Sequence, residues 1–126
     1  MIVADTSIWI SFLRNDDPDT VDILRAYLKK NEVYSISAIF GELYQGVKNK
    51  REKEIIELIY ENIPAVNETD LFLKAGLLSN KHRLYAKGVG LIDCYILSVC
   101  LEQRLTLWTQ DKKLQNAYQM ILDGVA

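Results

Sequence analysis

The sequence predicts an α/β fold: a central, mostly parallel sheet of four to five strands flanked by helices, in a single domain spanning 1–126. Two observations lead there. Short apolar runs alternate with longer stretches whose apolar residues recur at helical spacing, the pattern of strands and amphipathic helices taken in turn. A chain of 126 residues, 49% of them hydrophobic, is also long enough to bury a core without disulfides or metal staples.

Ile2–Ala4 is a compact apolar run ending at Asp5, a candidate buried parallel strand. Thr6 to Arg14 carries Ile8, Trp9, Phe12 and Leu13 at helical spacing. Asp17-Pro18 reads as a cap and a first-turn proline, opening a helix with Val21, Leu24, Tyr27 and Leu28 on one face. Val33 to Ser37 is a second short strand, and Ser37 is placed to cap the helix bearing Ile39, Phe40, Leu43 and Val47. A charged helix follows, with Ile55, Ile56, Leu58 and Ile59 expected to face inward. Ile63 to Val66 reads as an edge strand, because Pro64 has no donor for a ladder. Glu68 and Thr69 open a helical stretch ending near Gly88, Leu91 to Arg104 is helical, Leu105 to Trp108 is a strand, and helix resumes after Asp111.

Composition removes several function classes. The formal net charge of −2 does not suit a sequence-independent nucleic-acid coat, though it allows an enzyme that grips nucleic acid locally. The opening MIVADTSIWISFLR lacks the basic lead and long apolar run of an export signal, so a cytoplasmic protein without membrane association is expected. Cys94 and Cys100 are then reduced thiols, read as core packing.

Four acids stand out. Asp5 and Asp111 each follow a predicted strand and precede a helix, where an Asp is either an N-cap or a site residue at the carboxyl end of a parallel strand. Asp93 falls between Cys100 and Leu97 around its helix, beside Ile96, so its carboxylate points inward. An unpaired buried carboxylate is costly and needs a cation or several donors. The alternative is that the helix starts late and Asp93 caps it. Glu42 lies at the edge of its helix's apolar face with Gly46 one turn on, and its ordinary reading is a solvated surface residue.

If the four converge, repulsion decides the chemistry. Two carboxylates at about 4 Å repel by about 4 kcal/mol at an effective dielectric near ~20, so several pairs demand protons or divalent cations. All-oxygen ligation favours Mg²⁺ or Mn²⁺ over zinc, and the single histidine, His82, reads as a surface residue in the Lys81–Arg83 cluster. A nucleophilic triad lacks a suitable base, and Gly88-Val89-Gly90 lacks the sequel of a phosphate loop. Metal-assisted hydrolysis remains.

The segments ADTSIWISFL, SAIFGELYQGV and GVGLIDCYILSVCLEQRLTLWTQDKKL stand in the order of a known motif set. On them the chain resembles the PIN-domain ribonucleases, and within these the VapC-type toxins of toxin–antitoxin pairs. The resemblance implies a PIN-like fold and a metal-dependent endoribonuclease that hydrolyses RNA phosphodiesters. It implies that Asp5, Glu42, Asp93 and Asp111 hold one or two Mg²⁺ or Mn²⁺ ions, with Thr6, Ser7 and Thr109 orienting carboxylates or water around them. A homodimer and a small cognate antitoxin protein are implied as well. Leu114 to Leu122 reads as helix where many relatives carry a further short strand, and Leu114 replaces an aromatic residue common at that place.

Two other readings fit less well. A non-catalytic, receiver-like signalling domain would need clustered acids after its first strand and an acceptor Asp after a middle one, whereas Val33–Ser37 ends without Asp. A PIN-like module that binds RNA without cutting it does not require the intact quartet. Basic residues at Lys48–Lys53, Lys81–Lys87 and Lys112–Lys113 either contact RNA or form solvated helix faces.

Overall fold

A computed structural model describes residues 1–68 and 71–124. In chain order the described elements are β1 (Ile2–Ala4), α1 (Thr6–Arg14), α2 (Pro18–Lys29), α3 (Ser37–Gln45), α4 (Lys50–Asn62), α5 (Leu71–His82), α6 (Leu91–Glu102), β2 (Thr106–Trp108) and α7 (Lys112–Leu122). A short 3-10 turn, Tyr85–Lys87, lies between α5 and α6.

The strands pair in parallel, Ile2 opposite Thr106, Val3 opposite Leu107 and Ala4 opposite Trp108. On the other side of β1, Val33 makes a single parallel bridge to Ile2, and Ser35 makes another to Ala65. The expected sheet of four to five strands is therefore smaller: two strands among the described residues, extended by two isolated bridges. The reason is local. Val33 follows a left-handed turn residue, Asn31 (φ 56°), and α3 begins at Ser37, which leaves little extended chain between them. Pro64 has no N–H to continue the outer ladder, although its carbonyl accepts from Ser35 N at 2.8 Å. After the last strand the chain forms α7, the helix read there from the sequence.

The core gathers the inner faces of these helices on the sheet. Helix α6 is buried without interruption from Cys94 to Cys100, as expected of a helix apolar all round. Both cysteines are free and buried, in keeping with a packing role. Helix α4 buries Ile56 but leaves Leu58 63% exposed, against expectation, because Leu58 lies about 200° around the helix from Ile56. The stretch expected to run from Glu68 to near Gly88 forms α5 and ends at His82, where Arg83 turns left-handed (φ 55°); Thr69 and Asp70 lie outside the described residues. His82 is buried rather than exposed, one heptad after the buried Ala75 and so on α5's inner face, while Lys81 and Arg83 stay in solvent. Among the described residues, no helix is long and apolar enough to cross a membrane.

Candidate active site

Because β1 and β2 are parallel neighbours, both end at the same edge of the sheet, and Asp5 N donates to Trp108 O at 3.0 Å across that end. Asp5 is buried, and both its oxygens are engaged. Oδ1 accepts from Ser7 N at 2.9 Å and from the Ser7 hydroxyl, while Oδ2 accepts from the Thr109 hydroxyl. Thr109 Oγ1 in turn accepts from Asp111 N at 3.0 Å, and Ser7 Oγ accepts from Gln110 N at 3.0 Å. One hydroxyl network thus ties the start of α1 to the segment before α7, and Ser7 and Thr109 both orient Asp5. Thr6 Oγ1 donates to Glu42 Oε1 at 2.7 Å, linking the first helix to α3.

Asp5 caps α1, and Asp111 caps α7 by accepting from Lys113 N at 2.9 Å and Leu114 N at 3.2 Å. The capping reading holds for both, and it leaves Asp111 Oδ2 free of partners among the described residues. Asp93 is different. Helix α6 starts at Leu91 with Gly90 as its N-cap, so Asp93 sits in the first turn and does not cap. It is half-buried, and none of the hydrogen bonds among the described residues reaches its carboxylate. Burial, then the charges of Asp111, Glu42 and Asp5, push its pKa up to about 6. The same three acids that the sequence singles out are those that press on Asp93.

The carboxylates share a field without being drawn together: among the described residues no three acids stand close enough to hold one ion between them. Asp5 is turned to Ser7 and Thr109, Glu42 to Thr6, and one oxygen of Asp111 to the α7 amides. By donor chemistry alone, an all-oxygen set with mutual repulsion, and with Asp93 free of donors among the described residues, suits a hard divalent cation better than zinc.

Sequence reasoning missed two features. Cys100 is buried within the field of Asp5: burial, then the charge of Asp5, pushes its thiol up to about 12, keeping it neutral. Ser37 is not the cap of α3 but its first residue; the N-cap is Ile36, and the Ser37 amide and hydroxyl go to Glu68. Asn67-Glu68 ahead of an apolar stretch gave no hint of that contact.

The model of the family described as PIN domain matches residues 2–119 of this chain. The chain belongs to the PIN-domain family. Among curated proteins, the PIN chain is 31% identical over 120 residues to Ribonuclease VapC32 of Mycobacterium tuberculosis strains CDC 1551 / Oshkosh and ATCC 25618 / H37Rv, covering 93% of itself and 90% of that protein. Among solved structures, it resembles FitAcB from Neisseria gonorrhoeae with a TM-score of 0.65 at 21% identity, covering 94% of each chain. At that identity the second likeness concerns the fold. The carboxyl ends of parallel strands are where α/β sheets leave room for side chains to meet, and Asp5 and Thr109 stand at those ends of β1 and β2.

Proposed function

We propose that this PIN domain is a Mg²⁺- or Mn²⁺-dependent endoribonuclease, the toxin of a toxin–antitoxin pair, acting in the cytoplasm. Asp93 carries the reading. A half-buried carboxylate with no hydrogen-bond donor among the described residues, pressed by three other acids, has the surroundings of a group awaiting a cation. Asp93 and Asp5 are the direct ligands in this reading, and Glu42 and Asp111 hold the cation directly or through water. One or two bound ions would supply charge neutralisation, polarisation of the phosphodiester and a water of lowered pKa.

The remaining roles belong to the chain. Ser7 and Thr109 fix both oxygens of Asp5, and Thr6 holds Glu42, so the hydroxyls set carboxylate directions before any ion arrives. Lys112 and Lys113, exposed beside Asp111, are placed to take RNA phosphates entering the site.

Two surfaces support the partners. An apolar groove lined by Ile10, Leu13, Leu43, Val47 and Ile56 opens beside Glu42, with Arg14, Lys48 and Glu52 also lining it. An antitoxin segment with an apolar face would fill it and cover Glu42. Helix α5 exposes Phe72, Leu73 and Leu77, and nearby Tyr85 and Leu91 are exposed too, an apolar face that a second copy would bury in a homodimer.

The deciding experiment is cleavage of single-stranded RNA by purified protein in EDTA and after return of Mg²⁺ or Mn²⁺. Cleavage is expected to vanish in chelator, return with either ion, and stop on addition of the product of the adjacent gene. Undiminished activity in excess EDTA would sink the metal mechanism.

A further inference from the structure

Two of the four acids, Asp5 and Asp111, are fixed by the hydroxyl network at the strand ends. Glu42, whose carboxylate accepts from Thr6 Oγ1 at 2.7 Å, and Asp93 ride on α3 and α6, so their separation also depends on how those two helices are held. Glu68, which belongs to no motif, contacts both. Its Oε2 accepts from Ser37 N at 2.8 Å, and its Oε1 accepts from the Ser37 hydroxyl at 2.7 Å and from the Tyr95 hydroxyl.

Ser37 is the first residue of α3, and Ile36, its N-cap, has no side-chain acceptor to offer. A carboxylate from far along the chain therefore satisfies an orphan amide and places negative charge at the positive end of the helix. Glu42 lies five residues further along that helix. Tyr95 is on α6, two residues after Asp93, in the buried run where a phenol needs a hydrogen-bond partner. The same segment is anchored to the far end of α6, where the Gln103 side chain donates to Asn67 O.

We propose that Glu68 is a positioning residue of the acid site, clamping the N-terminus of α3 to α6 and thereby fixing Glu42 against Asp93. The inference rests on the reading of those two acids as cation ligands. It assigns Glu68 no contact with RNA or with a metal. Its chemistry is three accepted hydrogen bonds, two of them with Ser37 and one with Tyr95. A carboxylate takes all three, whereas the amide of glutamine has a single acceptor oxygen for the two Ser37 donors and can donate to the Tyr95 oxygen instead.

The test compares the parent with Glu68→Ala, Glu68→Gln, Tyr95→Phe and the Glu68→Ala/Tyr95→Phe double variant. Each is assayed for cleavage of single-stranded RNA across a Mn²⁺ titration, for Mn²⁺ binding by calorimetry, and for denaturant unfolding without metal. Glu68→Ala is expected to lower kcat by roughly 10-fold or more, since small misplacements of reacting groups are that costly, with KM for RNA within about 2-fold. Its Mn²⁺ affinity should fall several-fold. Glu68→Gln should recover part of both losses, Tyr95→Phe should show a smaller loss, and the double variant should be no worse than Glu68→Ala. If Glu68→Ala does not fold, Glu68→Gln and Tyr95→Phe, which keep an acceptor for the α3 amide, decide alone. Parental kcat and Mn²⁺ affinity in the folded variants would overturn the clamp, as would losses matching only the unfolded fraction. A parent that neither binds Mn²⁺ nor cuts RNA would instead overturn the functional reading, and the clamp would fall with it.

Discussion

Asp93 is the residue on which the charge of the other three acids bears. Its carboxyl is raised from 3.8 to about 6, so folding favours its protonated form. The sign follows from linkage: this group weighs least on the metal-free fold below about pH 4, where it is protonated folded and unfolded alike. Stability is lost as pH rises from there through about 6. Asp93→Asn keeps the volume and removes that dependence. Denaturant midpoints in EDTA should therefore diverge between parent and variant as pH rises toward ~7, the variant being equal or more stable. Its cleavage in Mn²⁺ should collapse because a ligand charge is gone. A variant that cuts at the parental rate removes Asp93 from the site. Gly88, two residues before the α6 cap, gives a second residue-level expectation. It has φ 82°, and a Cβ there would meet Lys113 Cδ at 2.9 Å. The lysine can swing aside, but the backbone cannot relax without losing the turn. Gly88→Ala should cost about 1–2 kcal/mol in urea unfolding, and a loss below a few tenths would contradict it.

At the scale of elements, two of the proposed site residues, Asp5 and Asp111, are also helix caps. Asp111 ends the segment after β2 and caps α7 through the amides of Lys113 and Leu114, so in the proposed reading one side chain serves both helix and site. The two roles separate by substitution. Asp111→Asn retains an acceptor oxygen and should unfold near the parental midpoint while losing activity. Asp111→Ala should lose activity and also about 1 kcal/mol of stability, measured as a shift in denaturant midpoint. Equal destabilisation by both changes would mean that the charge itself holds the helix. This overlap explains what was legible in the sequence. Asp5 and Asp111 were visible because strand ends and helix starts carry local signals, and Asp93 because helical periodicity alone aims it inward. The sheet was overestimated because an apolar run such as Val33–Ser37 does not reveal that a turn and a helix leave it a single bridge at each residue that pairs. Ser37 was read as a cap because its partner, Glu68, lies 31 residues away, beyond any local pattern. His82 was misplaced because its charged neighbours suggested solvent, while its helical phase relative to Ala75 pointed inward.

At the scale of the whole molecule, site and stability are coupled through charge. Asp111, Glu42 and Asp5 all press on Asp93, and the metal-free fold holds its carboxyl against that repulsion. A ligand that binds only the folded state stabilises it by RT ln(1 + [L]/Kd), about 2.7 kcal/mol at a concentration of roughly 100 times Kd. For a chain of 126 residues that corresponds to a rise in Tm on the order of 10 °C. Cation binding requires the ionised form of Asp93, so protons compete with the ion. The gain should be small near pH 5 and should grow as pH rises through about 6, opposite to the trend of the metal-free protein. Calorimetric melts with and without Mn²⁺ across that range measure both trends on one sample. Asp93→Asn should lose most of the Mn²⁺-induced rise and nearly all of its steepness with pH, because the competing proton site is gone. A rise of equal size in parent and variant, or one flat across pH, would place the bound ion away from these four acids.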